Sequence, residues 1–487
     1  MLFRELIQNI SFRGIKNYKD VEIDNLTHSS TADTSNALYF CLRGSKVDGH
    51  NFAKAAVENG AVCLVVERFL DLPVPQILVD NARKAMSQVS AVFYEFDKSN
   101  IKFIGVTGTN GKTTTAFITR HILQNLGKRV GMIGTEGTYI GDIKIPSQLT
   151  TPDPIKLHKI IHDMDLSGVE YVVMEVSAHA LALNKVDSIM YDVVGITNIT
   201  QDHLDYFNSM ENYARAKAEL FTYNHAKKAI INIDDKYTRS IYKKCNIEKE
   251  TLSLNKSADI MVEESNYEVD GTNSIINIGG KQYMLNSPLV GDYNLANLLM
   301  AAGFCNSLGF SVNEILEAFN KSKVLVPGRL NLIQTPKCAV VIDYAHTPDG
   351  IEKVLNAINK IKKGRLIVVF GCGGNRDSGK RPQMGEMATR LADYTIVTSD
   401  NPRYENPYQI LADINKGITS KNNHINIENR ESAIGYALNI AKPEDIVAIL
   451  GKGNENYQEI NGEKIPYSDY KAVDEYFIKT EDAEHQI

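Results

Sequence analysis

The sequence lacks an excess of basic residues. Its 487 residues include 53 Lys and Arg against 59 Asp and Glu, which gives a formal net charge of −6 at pH 7. Proteins that bind a nucleic-acid backbone usually carry a basic surface, because each phosphate is an anion. Nucleic acid is therefore not expected as a main partner.

Several other features are missing. The six cysteines form no Cys-x-x-Cys pair, which argues against a disulfide framework and against a zinc site. Arg4, Glu5 and Arg13 interrupt the apolar N-terminus, so it does not read as a signal peptide, and no apolar run approaches membrane-spanning length. We expect a cytoplasmic protein that does not insert into a membrane and keeps most of its cysteines in the core.

Low-complexity segments and repeats of solenoid period are also missing. Hydrophobic residues make up 43% of the chain and charged residues 23%, a composition typical of packed globular proteins rather than of disordered ones. At roughly 150 residues per domain, the length predicts about three domains.

Apolar runs alternate with helical segments along the chain, which predicts an α/β protein. The first series predicts an N-terminal domain over residues 1–100. The second predicts a central domain over residues 101–330, with a mostly parallel sheet and helices on both faces. A third series follows the segment Pro327-Gly328-Arg329 and predicts a C-terminal domain over residues 331–487.

The strongest motif is IGVTGTNGKTTT at residues 104–115. An apolar strand leads into a loop, and Lys112 and Thr113 open a helix, so backbone N–H groups can surround phosphate oxygens. Lys112 would neutralise phosphate charge and Thr113 would ligate Mg²⁺. Val106 stands where the general P-loop pattern has glycine, so an ordinary strand-to-helix turn is the alternative. The predicted loop comprises Gly108, Thr109, Asn110, Gly111, Lys112, Thr113 and Thr114.

Polar residues also follow other predicted strands, where ligands of such sheets bind. Glu175 ends the run YVVME and suits a Mg²⁺ ligand, or else a carboxylate that caps the strand end. Arg403 of the stretch DNPR suits a bidentate pair with a ligand carboxylate. Glu455, in the next strand-end loop, carries the opposite charge and suits an ammonium group. Surface ion pairs at the sheet edge are the alternative for both.

Asn294 and Asn297 lie three residues apart on a predicted helix. Their amides suit a purine edge or a substrate amide, with helix capping as the alternative.

Two other interpretations find no support. The stretch GCGGNRD (371–377) is not a GxGxxG fingerprint, so hydride transfer is discounted. Cys372 lies between glycines with no recognisable histidine partner, which favours a turn over a nucleophile.

The loop TGTNGKTT resembles that of the Mur ligase family, and further stretches are similar to the same family in the same order along nearly the whole chain. These are TTPDP (150–154), MEVSAHAL (174–181), TNITQDHLDY (197–206), YARAKAELF (213–221), GDYNLANLLMAA (291–302), VPGR (326–329), IDYAHTPDG (342–350), GCGGNRDSGKRP (371–382), DNPR (400–403) and GKGNENYQ (451–458).

The resemblance implies a uridine-nucleotide-binding N-terminal domain, a central ATPase domain and a Rossmann-like C-terminal domain. It implies an ATP- and Mg²⁺-dependent amide ligase of peptidoglycan precursor synthesis. Such an enzyme would add meso-diaminopimelate to UDP-N-acetylmuramoyl-L-Ala-D-Glu through an acyl phosphate. ATP, the UDP-dipeptide and the amino acid would be its partners, and a monomer is expected.

The resemblance also implies roles for individual residues. The catalytic residues would be Lys112, Lys217, His203 and Arg329. The Mg²⁺ ligands would be Thr113, Glu175, His203 and Lys217, the last as a carbamate formed with CO₂. Beyond the phosphate loop, the ATP site would include Asn294, Asn297, Arg329, Asp343 and Lys380. The UDP substrate would contact Ser29, Asp48, His50, Thr150, Thr151 and Ser177. The amino acid would contact Arg376, Asp400, Asn401, Arg403, Gly451 and Glu455.

Some positions weigh against a direct transfer of these roles. By charge alone, Lys217 would belong to a solvated helix face, because an ammonium repels Mg²⁺. Asn375 and Asn454 stand where the family usually has Asp and His, and His28-Ser29-Ser30 replaces its Asp-Ser-Arg. A divergent member that adds L-lysine, or that uses another carboxylate acceptor such as a folate or a secondary-metabolite peptide, is therefore an alternative.

A third alternative is a non-catalytic nucleotide-binding regulator. It predicts ATP binding without turnover. The retention of four residues expected to act in catalysis or to bind Mg²⁺ argues against it: Lys112, Glu175, His203 and Lys217.

Overall fold

The computed structural model describes residues 1–8, 10–44, 47–147, 149–268, 271–322, 324, 326–419 and 423–484. Within these ranges the strands form three sheets and a separate two-stranded hairpin, and helices pack against the sheets. The α/β class predicted from the sequence is confirmed. No helix of this part of the chain is long and apolar enough to cross a membrane.

The N-terminal region comprises α1 (Phe3–Ile7), β1 (Gly14–Lys16), β2 (Asn25–Thr27), β3 (Ala37–Phe40), α2 (Ala53–Glu58), β4 (Ala61–Val66), β5 (Gln76–Leu78) and α3 (Ala82–Phe93). Its sheet has the order β1–β5–β4–β3–β2, with β1 antiparallel to β5 and the other neighbours parallel. The helix α3 begins after Asn81, whose side chain accepts the backbone N–H groups of Arg83 and Lys84.

The central region begins with β6 (Lys102–Thr107), α4 (Lys112–Asn125), β7 (Val130–Gly134), β8 (Gly137–Ile140), β9 (Ile143–Ile145), α5 (Pro154–Leu166), β10 (Tyr171–Glu175), α6 (Ala178–Ala182), β11 (Tyr191–Ile196), α7 (Leu204–Phe207) and α8 (Met210–Ala218). It continues with β12 (Ala226–Asn232), α9 (Lys236–Lys244), β13 (Glu248–Ser253), β14 (Ile260–Glu268), β15 (Gly271–Ile278), β16 (Lys281–Ser287), α10 (Asp292–Ser307) and α11 (Val312–Asn320).

The central sheet has the order β16–β15–β14–β13–β12–β11–β6–β10–β7–β8–β9. It is parallel from β14 to β7 and antiparallel at both edges. One apolar cluster includes Ile118 of α4 and Leu298 of α10, and a second includes Ile161 of α5 and Tyr213 of α8. Helices therefore cover both faces, which explains why the inner strands read as continuous apolar runs.

The C-terminal region comprises β17 (Asn331–Gln334), β18 (Ala339–Asp343), α12 (Pro348–Ile361), β19 (Leu366–Phe370), α13 (Lys380–Leu391), β20 (Tyr394–Val397), α14 (Pro407–Asn415), β21 (His424–Asn426), α15 (Arg430–Ile440), β22 (Ile446–Leu450), β23 (Tyr457–Ile460), β24 (Glu463–Pro466) and α16 (Asp469–Glu484). Its sheet has the order β17–β18–β22–β19–β20–β21, with β17 antiparallel to β18. The strands β23 and β24 form the separate hairpin.

Short 3₁₀ helices lie at Gly49–Phe52, Phe96–Lys98 and Glu219–Phe221. All six cysteines are buried free thiols, as the sequence predicted for most of them.

Candidate active site

A cleft of about 1200 Å³ lies where the phosphate loop faces the carboxyl ends of the C-terminal strands. It collects most of the residues singled out from the sequence. These are Thr109, Asn110, Gly111, Lys112, Thr113, Thr114, Thr150, Thr151, Glu175, Ser177, His203, Asn297, Arg329, Asp343, Arg376, Lys380, Asp400, Asn401, Arg403, Gly451 and Glu455. Residues far apart in sequence therefore share one concave site, the usual form of a small-molecule site.

The phosphate loop has the geometry that its sequence predicted. The strand β6 ends at Thr107 and α4 begins at Lys112. Gly111 has a φ of 90°, and a Cβ atom there would overlap the side chain of Asn297, so this position requires glycine. The ammonium of Lys112 donates to the carbonyl oxygens of Gly108 and Thr109 at 3.0 and 2.8 Å. Desolvation lowers the pKa of Lys112.

Glu175 lies fully buried at the end of β10. Its carboxylate accepts hydrogen bonds from Thr113 Oγ1 at 3.0 Å, from Thr135 N at 2.9 Å and from Thr135 Oγ1 at 3.1 Å. Arg329 Nη2 donates to the same Thr113 hydroxyl at 3.3 Å. A carboxylate and a hydroxyl therefore meet directly behind the phosphate loop.

These oxygen donors fit Mg²⁺, which is usually held by one or two protein carboxylates while phosphate oxygens and water complete its coordination. Within the described ranges, no three His, Cys, Asp or Glu side chains gather closely enough to hold a metal ion by themselves. The donor set therefore fits an ion that binds together with nucleotide phosphates, rather than one in a cage built only from protein.

Lys217 lies in α8 beneath the phosphate loop and is 1% exposed. Its Nζ donates to the Gly108 carbonyl oxygen at 2.9 Å and lies 4.7 Å from the centre of the Tyr213 ring. Burial, together with the nearby charge of Lys112, lowers the pKa of Lys217 well below its ordinary value. The structure thus excludes the solvated helix face that charge alone would suggest.

His203 precedes α7 and adopts a left-handed backbone with a φ of 56°. Desolvation lowers the pKa of its imidazole to about 3, which leaves the ring neutral and able to ligate a metal. Its neighbour Asp202 accepts a hydrogen bond from Lys380 Nζ at 3.2 Å. Burial opposes ionisation of Asp202, but Lys380, His203 and His346 together hold the pKa of this carboxyl well below its usual range.

The two predicted adenine-side asparagines differ in their contacts. Asn297 accepts a hydrogen bond from Thr115 Oγ1 at 3.3 Å, and its buried Nδ2 has no partner among the described residues. That donor is available to a ligand in the cleft. Asn294 Nδ2 instead donates to the Val290 carbonyl oxygen at 2.9 Å. This local contact is not helix capping, because among the described residues no side chain caps the start of α10.

Asp343 ends β18 and organises the segment that carries Arg329. Its carboxylate accepts the backbone N–H groups of Leu330 and Ala345 at 2.6 and 2.7 Å. Burial raises the pKa of Asp343. The guanidinium of Arg329 lies 4.4 Å from the centre of the Tyr344 ring. Asp343, through the backbone, and Tyr344, through its ring, therefore both help to fix the direction of the Arg329 side chain.

The residues expected to bind the amino acid form a charged network. Asn401 Nδ2 donates to Glu455 Oε2 at 2.9 Å. Lys452, which the sequence did not single out, donates to Asn401 Oδ1 and to Glu455 Oε2, each at 2.9 Å. Burial opposes ionisation of Asp400, but Lys452 and Arg430 lower the pKa of this carboxyl.

The residues expected to bind the UDP substrate are divided between two places. Thr151 Oγ1 donates to the Glu175 carbonyl oxygen at 2.9 Å and accepts the Ser177 N–H at 3.2 Å, so both side chains stand at the cleft. A second group, Ser29, Asp48 and His50, lies in the N-terminal region and is not among the described residues that line the cleft. The role of this second group stays a prediction.

The His50 ring is already engaged within the N-terminal region. Its Nδ1 lies 2.6 Å from Asp48 Oδ1, and its Nε2 accepts the Glu67 N–H at 3.0 Å. Arg68 Nη1 donates to Asp48 Oδ2 at 2.7 Å, and this contact together with His50 holds the pKa of Asp48 well below its usual range.

Sequence reasoning missed some residues of the cleft. Thr135 follows β7 just as Glu175 ends β10, so the strand-end rule would have found it. His179 packs edge-on against His203 with ring centres 4.9 Å apart. Lys185 Nζ donates to the Thr151 carbonyl oxygen at 3.2 Å. Neither His179 nor Lys185 occupies a strand end; His179 lies in the stretch MEVSAHAL, but no role was predicted for it, and no motif includes Lys185.

Comparisons with known proteins agree along the chain. Residues 22–94 match the family model described as "Mur ligase family, catalytic domain". Residues 106–305 match the "Mur ligase middle domain". Residues 328–453 match the "Mur ligase, glutamate ligase domain".

Individual relatives cover almost the whole chain. UDP-N-acetylmuramoyl-L-alanyl-D-glutamate–2,6-diaminopimelate ligase 1 of Clostridium acetobutylicum is 41% identical over 485 residues, which cover 98% of this chain and 99% of the relative. A UDP-N-acetylmuramoyl-L-alanyl-D-glutamate–2,6-diaminopimelate ligase of Aquifex aeolicus is 41% identical over 455 residues, which cover 93% of this chain and 93% of the relative. A solved structure of a UDP-N-acetylmuramoyl-L-alanyl-D-glutamate–2,6-diaminopimelate ligase matches with a TM-score of 0.69 and 30% identity, covering 100% of this chain and 99% of the other.

Proposed function

The chain belongs to the Mur ligase family, and we propose that it is an ATP-dependent ligase that joins meso-2,6-diaminopimelate to UDP-N-acetylmuramoyl-L-alanyl-D-glutamate. One observation carries the proposal. A single cleft holds the phosphate loop with Lys112 and, at the strand ends opposite, Arg403 and Glu455. The first group suits ATP, and the second suits an amino acid with a distal carboxylate and a distal ammonium.

The proposed reaction has two steps. The γ-carboxylate of D-glutamate attacks the γ-phosphorus of ATP, which forms an acyl phosphate and releases ADP. The amine of diaminopimelate then attacks the acyl carbon, the amide forms, and inorganic phosphate and a proton leave. Phosphoryl transfer depends mainly on charge neutralisation and alignment, which the protein supplies without covalent chemistry.

The charged residues of the loop have distinct tasks in this scheme. Lys112 neutralises the β- and γ-phosphates, and Arg329 approaches the same loop from the C-terminal region through its contact with Thr113. Mg²⁺, held by Thr113 and Glu175 together with the phosphates, would supply further neutralisation of the transferred group. Asn297 offers the nucleotide its Nδ2, which no described residue engages.

We also propose that Lys217 carries a carbamate. Its amine is buried, and the lowered pKa favours the neutral form that can attack CO₂. The N–C bond forms, one proton leaves the nitrogen, and the cation becomes an anion. With the neutral imidazole of His203, this anion would supply ligands for a second metal ion.

The amino acid is recognised by opposite charges in this proposal. Arg403 pairs with the distal carboxylate and Glu455 with the distal ammonium, while Arg376 holds the other carboxylate. Glu455 Oε2 already accepts from Asn401 and Lys452, whereas within the described ranges its Oε1 has only a long contact of 3.5 Å with the Tyr344 hydroxyl. That oxygen is the one best placed for an ammonium.

Amino-acid-dependent release of phosphate tests the function. The protein is incubated with ATP, Mg²⁺ and the UDP-dipeptide, with meso-diaminopimelate, L-lysine or no amino acid, and the product is identified by mass spectrometry. We expect the UDP-tripeptide only with diaminopimelate. Steady phosphate release without any amino acid would contradict the ligase function, and a faster reaction with lysine would contradict the substrate.

A further inference from the structure

The loop that carries Arg403 is held by the β23–β24 hairpin. Arg403 has a left-handed backbone with a φ of 53°. Its N–H donates to the Glu459 carbonyl oxygen at 2.9 Å, and its own carbonyl oxygen accepts the Asn461 N–H at 2.6 Å. The backbones of Arg403 and Ile460 also form an isolated parallel β-bridge. The segment 459–461 therefore acts as a short strand beside the loop and supports an unfavourable backbone conformation.

The side chains make a second connection at the same place. Arg403 Nε donates to Glu459 Oε2 at 3.1 Å, and Arg403 Nη1 donates to the Gly374 carbonyl oxygen at 2.8 Å. The two charged side chains are 19% and 22% exposed, so water screens the pair only in part. The guanidinium is thereby held at its Nε edge and at one Nη1 hydrogen.

Among the described residues, no partner takes the remaining guanidinium hydrogens of Arg403, which leaves them for a ligand. A guanidinium has five N–H donors in a planar fork, and the two contacts above engage two of them. Among the described residues, those that line the cleft include Arg403 but not Glu459. Glu459 thus contacts the arginine without reaching the space where the amino acid would bind.

We propose that Glu459 is a positioning residue for amino-acid selection. This inference rests on the proposed function. It fixes the plane of the Arg403 guanidinium so that the Nη1–Nη2 edge faces the distal carboxylate of the amino acid. A free arginine side chain samples many rotamers, and the entropy of ordering it is a cost of binding. Glu459 holds it in one orientation before the amino acid arrives.

Side-chain variants isolate this role. Glu459 also donates its backbone N–H to Asn401 Oδ1 at 2.9 Å, and a change of side chain leaves that contact in place. Glu459→Ala removes the carboxylate, and Glu459→Gln keeps an acceptor of similar shape without the charge. Glu463→Ala, at an exposed position of β24 in the same hairpin, is the matched control.

Steady-state kinetics of the full-length variants test the proposal. We expect Glu459→Ala to raise the KM for diaminopimelate by about three- to ten-fold, because the Arg403 side chain must then be ordered when the amino acid binds. The KM values for ATP and for the UDP-dipeptide, and kcat, should stay within about two-fold of wild type. Glu459→Gln should give a smaller rise, and Glu463→Ala none. In an Arg403→Ala background, Glu459→Ala should have no further effect.

The possible outcomes separate the two proposals. If the wild type does not use diaminopimelate, the proposed function fails before any variant is measured. If the wild type uses it and Glu459→Ala has an unchanged KM, only the role of Glu459 is overturned. An equal rise of all three KM values with a lower melting temperature, or an effect that persists without Arg403, would show a merely structural residue and would also overturn the inference.

Discussion

The guanidinium of Arg329 reaches the hydroxyl of Thr113, with Nη2 3.3 Å from Oγ1. Thr113 lies in the first turn of α4, and Arg329 comes just before β17, 216 residues later. The same hydroxyl donates to Glu175 at 3.0 Å. The phosphate loop, a buried carboxylate and the segment leading into the C-terminal sheet therefore meet at one oxygen atom.

This contact predicts that Arg329 acts in the phosphoryl-transfer step. Arg329→Ala should lower kcat by about 10²–10³-fold, because a preorganised cation that stabilises a transition state is lost. ATP binding, measured by calorimetry, should weaken less than kcat falls. Arg390→Ala, at a half-exposed arginine of α13, is the control and should leave kcat unchanged. A rise in KM for ATP at unchanged kcat would contradict this role.

Lys217 should be essential if its carbamate ligates a metal ion. We expect Lys217→Ala to lose synthesis at neutral pH, and added bicarbonate or a short carboxylate to restore part of it by filling the vacated position. A ¹³C NMR signal of a carbamate should appear in the wild type supplied with ¹³C-bicarbonate and be missing from the variant. Full activity of Lys217→Ala would refute the assignment, and Lys236→Ala at an exposed position is the control.

His158 should make stability depend on pH. It is 1% exposed, and neither ring nitrogen has a hydrogen-bond partner in the described part of the chain. Burial lowers its pKa to about 3, against about 6.5 in an unfolded chain. Between these values the unfolded chain binds a proton that the folded chain does not, so stability falls as pH falls, by at most about 1.4 kcal/mol per pH unit from this residue.

The measurement is urea unfolding at pH 7, 6 and 5. His158→Leu should flatten the fall in unfolding free energy relative to the wild type, since the variant cannot bind this proton. His162→Leu, at a half-buried position of the same helix, is the control. An identical pH dependence of the wild type and His158→Leu would contradict the prediction.

Arg430 and Asp469 form an ion pair in which both side chains are 0% exposed. Two hydrogen bonds of 2.8 and 2.7 Å join them, and Arg430 Nη2 also donates to the Leu450 carbonyl oxygen at 3.0 Å. Arg430→Met should destabilise by about 3–5 kcal/mol, because it leaves a buried carboxylate without its partner.

Chemical denaturation checks this, with Arg430→Met/Asp469→Leu as the comparison. The double variant should be less destabilised than the single one, since it leaves no unpaired charge. The prediction is wrong if the single variant loses less than about 1 kcal/mol, the range of an exposed pair.

Local sequence was sufficient to predict part of the fold and part of the site. The α/β fold and the Mur ligase family predicted from the motifs are confirmed. The phosphate loop could be located because a strand, a glycine turn and a helix start lie within twelve consecutive residues, 104–115. Glu175 and Arg403 could be singled out because strand ends of a parallel sheet gather at one edge.

Other features depend on which distant segments meet, and local sequence patterns do not reveal this. Arg403 and Glu459 are 56 residues apart, and the bond from Asn454 Nδ2 to Glu136 spans 318 residues. The domain limits at residues 100 and 330, the cytoplasmic location and the monomeric state stay predictions, as do the roles of the individual site residues.

Kinetics of Arg403→Ala with two amino acids test whether this site selects meso-diaminopimelate. The lost contact with the distal carboxylate is worth about 1.5–3 kcal/mol, so the KM for meso-diaminopimelate should rise by roughly one to two decades. The KM values for ATP and the UDP-dipeptide should hardly change, and any activity with L-lysine, which has no distal carboxylate, should be unaffected. Equal losses with both amino acids, or a wild-type preference for lysine, would contradict the proposed selection of diaminopimelate.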